Sequence, residues 1–121
     1  MRSKLAGLSR RQLEELPIEV LDKEAFGFES GEAIMLPLDA IHIRYPGDLE
    51  SAKADVRTRK DALAIRRVHG RLPVKVALRG GLFELEDGHH RYVAARMLGD
   101  KKIWAEVDIK DNPISVLLGE R

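Results

Sequence analysis

The amino-acid sequence predicts a single α+β domain, a mixed α/β fold in which a short mixed sheet is flanked by helices. Two segments, 73–78 and 103–109, alternate apolar and polar side chains with the two-residue period of a half-buried strand. Between them, apolar residues in the segment 93–98 recur at helical spacing, and Gly99 follows as a candidate C-cap. With 121 residues, 44% of them apolar, the chain is long enough for one core and too short for two comfortable domains.

Composition narrows the classes of function. The formal net charge is +1, so the chain as a whole does not attract polyanions. Cysteine is absent, which excludes a disulfide scaffold. The sequence has no apolar run of about 18 residues and no apolar signal core at its amino terminus. We therefore expect a soluble, cytoplasmic protein with no membrane partner.

The N-terminal residues 1–30 are predicted to form a helical extension. Ser9 is placed to cap a short helix that Pro17 would end. Two aromatic residues, Phe26 and Phe28, are expected to anchor the segment to the core, because phenylalanines beside a glycine more often pack internally than stack on a base.

The core of the domain is predicted to span residues 34–109. Its first part, 34–43, is expected to contain a strand. A turn is predicted at 45–48 from its proline and glycine, and the charged region 49–71 that follows is predicted to be largely helical. Residues 110–121 are predicted to form a tail with a short terminal helix.

A hairpin followed by a helix is predicted in the centre of this core. Segments 73–78 and 82–86 form its two strands, and Gly80 and Gly81 supply a turn that can adopt positive φ. The period then changes from two to 3.6, which places the start of a helix near His89.

The junction between the second strand and this helix reads Asp87-Gly88-His89-His90-Arg91. A helix start offers unpaired backbone N–H groups and the positive end of the helix dipole, which together favour an anion. Arg91 is suited to bidentate contact with a phosphate, and the two histidines can donate hydrogen bonds or carry protons. Asp87 can bind a sugar hydroxyl or magnesium, or act as a base. The alternative is structural: Asp87 as an N-cap, Gly88 as a turn residue and a solvated first turn.

The string DGHHRYVAARMLG, between a hairpin and the strand IWAEV, resembles the ParB/sulfiredoxin-like superfamily, which includes ParB N-terminal-like domains and ParB-like nucleases. The resemblance covers residues 34–109 and is tightest over 72–107. In partition proteins of this superfamily the motif reads Gly-Glu-Arg-Arg and contacts the phosphates of CTP; in sulfiredoxins it reads Gly-Cys-His-Arg and contacts those of ATP. Gly88 and Arg91 match both forms, and His90 matches the sulfiredoxin histidine.

The resemblance implies a domain that binds nucleotide phosphate through Gly88, His89, His90 and Arg91. It further implies a phosphotransferase or nucleotide hydrolase acting on ATP, ADP or CTP, with Asp87, His89 and His90 as catalytic candidates. His89 stands where the sulfiredoxin cysteine would be, and a chain without cysteine cannot reduce a sulfinic acid by thiol chemistry. Two alternatives stay open, a non-catalytic DNA-associated partition or regulatory module and a nuclease, because a shared fold does not choose between them.

A local excess of positive charge precedes the central strand. Residues 51–71 contain seven basic and two acidic side chains, a net charge of +5 in a chain of +1. The resemblance implies that Arg57, Arg59 or Lys60 reaches a phosphate. The same residues also fit a solvated helix face or a salt-sensitive contact with the DNA backbone.

A magnesium ion carried in by the nucleotide is expected to touch Asp87, Glu86 or Glu84, since Mg²⁺ retains water and phosphate ligands. Each glutamate also fits an ordinary exposed strand position. A zinc site made by the protein alone is not expected, because His89 and His90 are adjacent in a helix and point about 100° apart. A protein partner and a dimer are left open.

Overall fold

The computed structural model describes residues 5–120; the ends of the predicted extension and tail, residues 1–4 and 121, lie outside the described part. Within it, a five-stranded mixed sheet is accompanied by six α-helices, so the predicted α+β class is confirmed. The elements, in chain order, are α1 (Arg10–Glu14), α2 (Ile18–Phe26), β1 (Ala33–Pro37), β2 (Ile41–Ile43), α3 (Pro46–Asp55), α4 (Arg59–His69), β3 (Val74–Arg79), β4 (Leu82–Asp87), α5 (His89–Met97), β5 (Lys102–Ile109) and α6 (Pro113–Leu117), with a 3₁₀ turn at Leu38–Ala40 between β1 and β2.

The strands lie in the order β1-β5-β3-β4-β2. Pairs β1–β5 and β3–β4 are antiparallel, whereas β5–β3 and β4–β2 are parallel. The predicted hairpin joins β3 to β4 through Gly80 and Gly81, whose φ angles are +60° and +77°. Asp111 stabilises this turn, because its carboxylate accepts hydrogen bonds from both glycine amides at 2.6 and 2.8 Å.

One face of the sheet forms the centre of the core. Val74, Val76, Leu85, Ala105 and Val107 are at most 1% exposed, and in β3 and β5 they occupy every second position. This is the period that the sequence predicted for these strands, and it arises because successive strand side chains point to opposite faces.

Helices α3 and α4 pack against α5, and small side chains allow this close approach. Ala52 of α3 and Ala62 of α4 are fully buried, and Ala94 and Ala95 lie on the buried part of α5. The arrangement brings the start of α5 close to α3 and α4, which positions the candidate site.

The region between β2 and β3 differs from its prediction in two respects. Helix α3 begins at Pro46, inside the segment 45–48 predicted as a turn, because proline is compatible with the first position of a helix. The helical region is then interrupted, and α4 starts anew after Thr58, which forms a reciprocal capping box with Asp61.

Ala62, Ile65 and Val68 recur at helical spacing, which predicts one apolar face of α4 that packs on the sheet. This face is only partly buried. Ala62 and Ile65 face inward, chiefly against α5 rather than the sheet, whereas Val68 is 66% exposed. The expectation for Val68 was wrong because helical spacing alone does not reveal how far the neighbouring element covers a helix.

The N-terminal extension is helical, as predicted, where it is described. Ser9 caps α1 through a capping box with Gln12, and Pro17 separates α1 from α2. Phe28 is buried in the core, as predicted, and α2 packs against α6 near the C-terminus. No helix in the described range 5–120 has the length and apolar content needed to cross a membrane.

Candidate functional site

A cleft of about 540 Å³ opens where β4 ends and α5 begins. This volume lies within the range of about 300–1,000 Å³ typical of small-molecule sites. Helices α3 and α4 supply the opposite wall. The lining of the cleft contains the whole predicted motif, Asp87 to Arg91, together with Asp48, Ser51, Ile65, His69 and Glu86.

Gly88 makes the turn from β4 into α5. Its φ of +97° lies in the left-handed region, and a Cβ atom at this position would lie 2.7 Å from Cγ1 of Val74. Both the backbone conformation and the lack of space therefore require glycine. The turn brings the backbone of the motif against β3.

The start of α5 has no side-chain cap within the described residues 5–120. Gly88 is the N-cap residue, and no side chain in that range accepts a hydrogen bond from the first turn. The first intrahelical bond links the amide of Tyr92 to the carbonyl of Gly88 at 2.9 Å. The amides of His89, His90 and Arg91 precede it and have no acceptor within the helix. The N-cap role considered for Asp87 is thus not observed, and the amides are available to an anion.

His89 is a buried polar side chain with an unsatisfied atom. The residue is 7% exposed, and its Nε2 has no hydrogen-bond partner within residues 5–120. An unsatisfied buried polar group typically costs about 1–3 kcal/mol, so a partner is expected. The ring lies beside Tyr45, with 6.4 Å between the ring centroids.

His90 is exposed and bonds to α3. Its Nε2 lies 2.8 Å from Oδ2 of Asp55, and both side chains are about half or more exposed. This contact joins the start of α5 to the end of α3. Asp55 had no part in the sequence prediction, because 35 residues separate the partners and no local pattern links them.

Arg91 is only partly available for a ligand. Its Nη1 donates to the carbonyls of Leu72 and Pro73 at 2.8 and 2.7 Å, just before β3. In the described part of the chain, its Nε and Nη2 have no hydrogen-bond partner. The guanidinium is therefore anchored at Nη1, and the bidentate phosphate contact expected for Arg91 stays a prediction.

The acidic side chains near the cleft differ in whether other groups already bond to their carboxylates. Asp87 is exposed, and its carboxylate has no hydrogen-bond or ion-pair partner in the range that the structure describes. Glu86 accepts hydrogen bonds from Nη1 of Arg44 and the hydroxyl of Tyr45, both at 3.2 Å. Glu84 lies outside the lining and pairs with Arg79 at 3.3 Å. No three His, Asp or Glu side chains in residues 5–120 are grouped so that they hold a metal ion.

The basic residues predicted to reach a phosphate lie elsewhere. Arg57 donates from Nε to the carbonyl of Ala54 at 2.6 Å. Arg59 and Lys60 line a separate groove on α4, together with Arg67. The structure does not bring these residues to the cleft, and their contact with a ligand stays a prediction.

Asp48 and Ser51 are cleft residues that the sequence did not indicate. Both lie in the first turns of α3, whose start was predicted as a turn. Proline at the first helical position, followed two residues later by an acidic side chain, was the signal that could have placed them on a helix.

Comparison with known proteins finds similarity among solved structures; no family profile and no curated protein matches the chain. Sulfiredoxin from Arabidopsis thaliana is similar with a TM-score of 0.46 and 20% identity, over 64% of this chain and 85% of that one. A C-terminally truncated chromosome-partitioning protein ParB from Caulobacter crescentus, complexed with CTP-gamma-S, has a TM-score of 0.46 and 19% identity, over 74% of this chain and 51% of that one. A free serine kinase mutant in complex with AMP has a TM-score of 0.39 and 22% identity, over 65% of this chain and 32% of that one. The chain spans about half of the ParB chain and about a third of the kinase.

Proposed function

We propose that this domain binds the phosphate group of a nucleotide in the cleft at the start of α5. The observation that carries the proposal is the buried Nε2 of His89, which has no hydrogen-bond partner within residues 5–120. His89 lines a cleft that also contains the start of α5, where Gly88 provides no side-chain cap. An anion at this place would accept hydrogen bonds from the imidazole and from the first-turn amides.

The remaining motif residues fit the same ligand. Gly88 allows the backbone to approach without a side chain in the way. Arg91 adds positive charge, and its bonds to Leu72 and Pro73 fix the guanidinium before a ligand arrives. Such preorganisation lowers the entropy that binding would otherwise lose.

A purely structural helix start is the competing explanation. It accounts for Gly88, but among the described residues it leaves the first-turn amides without a side-chain cap and the Nε2 of His89 without a partner. A phosphate satisfies both sets of donors at once, which is why we favour a ligand site.

Magnesium fits this cleft only as an ion bound to the nucleotide. The carboxylate of Asp87 has no partner in the described part of the chain and would hold such an ion, whereas both oxygens of Glu86 already accept hydrogen bonds. Bound with the nucleotide, Mg²⁺ would neutralise phosphate charge and keep water among its ligands. The donor set therefore supports Asp87 and not Glu86 as the protein ligand.

Phosphoryl transfer or hydrolysis is the reaction class that we assign to this site. Such reactions depend mainly on positioning and charge stabilisation. His90 is oriented by its bond to Asp55. It is the group suited to take a proton from the attacking water, or from another molecule that receives the phosphoryl group. If the assignment is correct, Asp55→Asn and His90→Gln lower phosphate release from the preferred nucleotide without weakening its binding to the same extent. Equal losses in rate and binding would leave His90 a binding residue only.

The binding proposal is tested by calorimetric titration of ATP, ADP and CTP, each with Mg²⁺, into the wild type and the His89→Phe variant. Phenylalanine keeps an aromatic ring but removes the unsatisfied nitrogen. Loss of one hydrogen bond to a charged group, roughly 1.5–3 kcal/mol, should weaken binding about tenfold or more. His42→Phe is the matched control, because His42 is exposed on β2 and does not line the cleft.

Saturable binding by the wild type and by His42→Phe, with strong loss in His89→Phe, is the expected result. No binding of any of the three nucleotides by the wild type, or equal binding by His89→Phe, would refute the proposed site.

A further inference from the structure

A cluster of three side chains lies beside His89. Arg44 and Tyr45 directly follow β2, and Glu86 is in β4. Because β2 and β4 are parallel, with Ile43 opposite Leu85, the residues after Ile43 come level with Glu86. We call Arg44, Tyr45 and Glu86 the Tyr45 cluster.

Each member of the Tyr45 cluster contacts both others. Oε1 of Glu86 accepts from Nη1 of Arg44 at 3.2 Å, and Oε2 accepts from the Tyr45 hydroxyl at 3.2 Å. The guanidinium carbon of Arg44 lies 5.5 Å from the centroid of the Tyr45 ring, within the range of a cation–π contact. The ring of Tyr45 is thus held at its hydroxyl and on its face, although the residue is 38% exposed.

The Tyr45 ring in turn lies next to His89. The two ring centroids are 6.4 Å apart with an interplanar angle of 56°, a tilted arrangement within the usual aromatic range. No group in the described part of the chain bonds to Nε2 of His89, so hydrogen bonding at that atom does not set the orientation of the ring. Packing against Tyr45 is a contact that can do so.

We infer that Tyr45 is a positioning residue, which holds the His89 ring in the orientation needed to donate a hydrogen bond to the ligand phosphate. Glu86 then holds Tyr45 in place and does not bind a metal. Both of its oxygens accept hydrogen bonds within the Tyr45 cluster. The ligand part of this inference rests on the proposed function; the orientation of His89 does not.

The first test needs no ligand. The imidazole resonances of His89 are recorded by NMR in the wild type and in the variants Tyr45→Ala and Glu86→Ala. We expect both variants to shift or broaden the His89 signals, while the control Glu84→Ala leaves them unchanged. Glu84 is the matched control because it lies in the same strand and also pairs with an arginine, but does not line the cleft. Unchanged His89 signals in Tyr45→Ala would overturn the inference.

The second test uses Mg–ATP and Mg–CTP in a double-mutant cycle. Tyr45→Ala should weaken binding by roughly threefold or more in the wild-type background and have no further effect in His89→Phe, because contacting residues are not additive. Tyr45→Phe keeps the ring and loses only the hydroxyl, so it should bind more tightly than Tyr45→Ala. It is also the control for misfolding of Tyr45→Ala. Equal effects of Tyr45→Ala in both backgrounds would overturn the inference. If the wild type binds neither of these nucleotides nor Mg–ADP, the proposed function fails, and the NMR result still decides whether Tyr45 positions His89.

Discussion

At the scale of single residues, Gly88 shows most clearly how the backbone makes the site. It combines a φ of +97° with a Cβ position 2.7 Å from a side chain of β3, whereas Gly99 has a similar φ of +78° with open space around it. Alanine at 88 must therefore bear both strain and overlap, and alanine at 99 only strain.

We predict that Gly88→Ala lowers the free energy of unfolding by about 2–4 kcal/mol and Gly99→Ala by about 1 kcal/mol, from the usual costs of backbone strain and overpacking. Urea denaturation of both variants measures the difference. Equal losses would show that β3 gives way at Val74 and that close approach at Gly88 is not required.

Two carboxylates provide a test of pH dependence with opposite signs. Asp22 in α2 is buried, and this burial raises its pKa above the usual 3.8 against the effect of a hydrogen bond from the Ser30 amide. The hydrogen bonds from the backbone amides of Thr58 and Arg57 lower the pKa of Asp61 below 3.8.

The charge of Asp22 therefore destabilises the fold above its raised pKa, and the cost disappears as the pH falls through that pKa toward 3.8. Asp61 contributes stability above pH 3.8, which is lost as the pH falls through its lowered pKa. We predict that Asp22→Asn is more stable than the wild type at pH 7 and Asp61→Asn less stable. The Asp22 difference should shrink as the pH falls toward 3.8, and the Asp61 difference only as the pH falls below 3.8. Thermal denaturation across this range checks the signs; a less stable Asp22→Asn at pH 7 would contradict the burial argument.

At the scale of elements, the break between α3 and α4 shapes the cleft, because both helices contribute to its wall. Thr58 begins α4, and its hydroxyl accepts a hydrogen bond from the amide of Asp61 at 3.1 Å. We predict that Thr58→Ala costs about 1 kcal/mol of unfolding free energy, the usual effect of losing a cap. Ser51→Ala, an exposed change inside α3, should alter it by no more than a few tenths of a kcal/mol. Chemical denaturation compares them, and equal effects would mean that the cap does not stabilise α4.

Elements whose sequence period is local could be predicted. The alternation of apolar and polar residues placed β3 and β5, and the change of period near His89 placed α5. The motif was located with them, because it lies at the start of α5. The start of α3 could not be separated from a turn, since Pro46 and Gly47 favour both, and Asp48 was missed with it. Contacts between distant segments, such as His90 with Asp55, leave no trace in a single sequence because only the packing of α5 on α3 creates them.

At the scale of the whole molecule, the parallel pairing of β2 with β4 has the largest consequence for the site. It brings the residues after Ile43 beside Glu86, although they are distant in sequence. The same topology separates two basic features that the sequence suggested together: Arg91 lines the cleft, whereas Arg59 and Lys60 lie on a separate surface of α4. We therefore expect the phosphate at the start of α5 and away from that surface.

The most direct test of this central claim is an NMR titration of the ¹⁵N-labelled protein with the nucleotide that binds most tightly in the presence of Mg²⁺. We predict saturable shifts of the backbone amides of Gly88, His89, His90 and Arg91, with little change at Arg59, Lys60 and His42. Saturable binding that shifts the α4 amides and leaves those of residues 88–91 unchanged would contradict it.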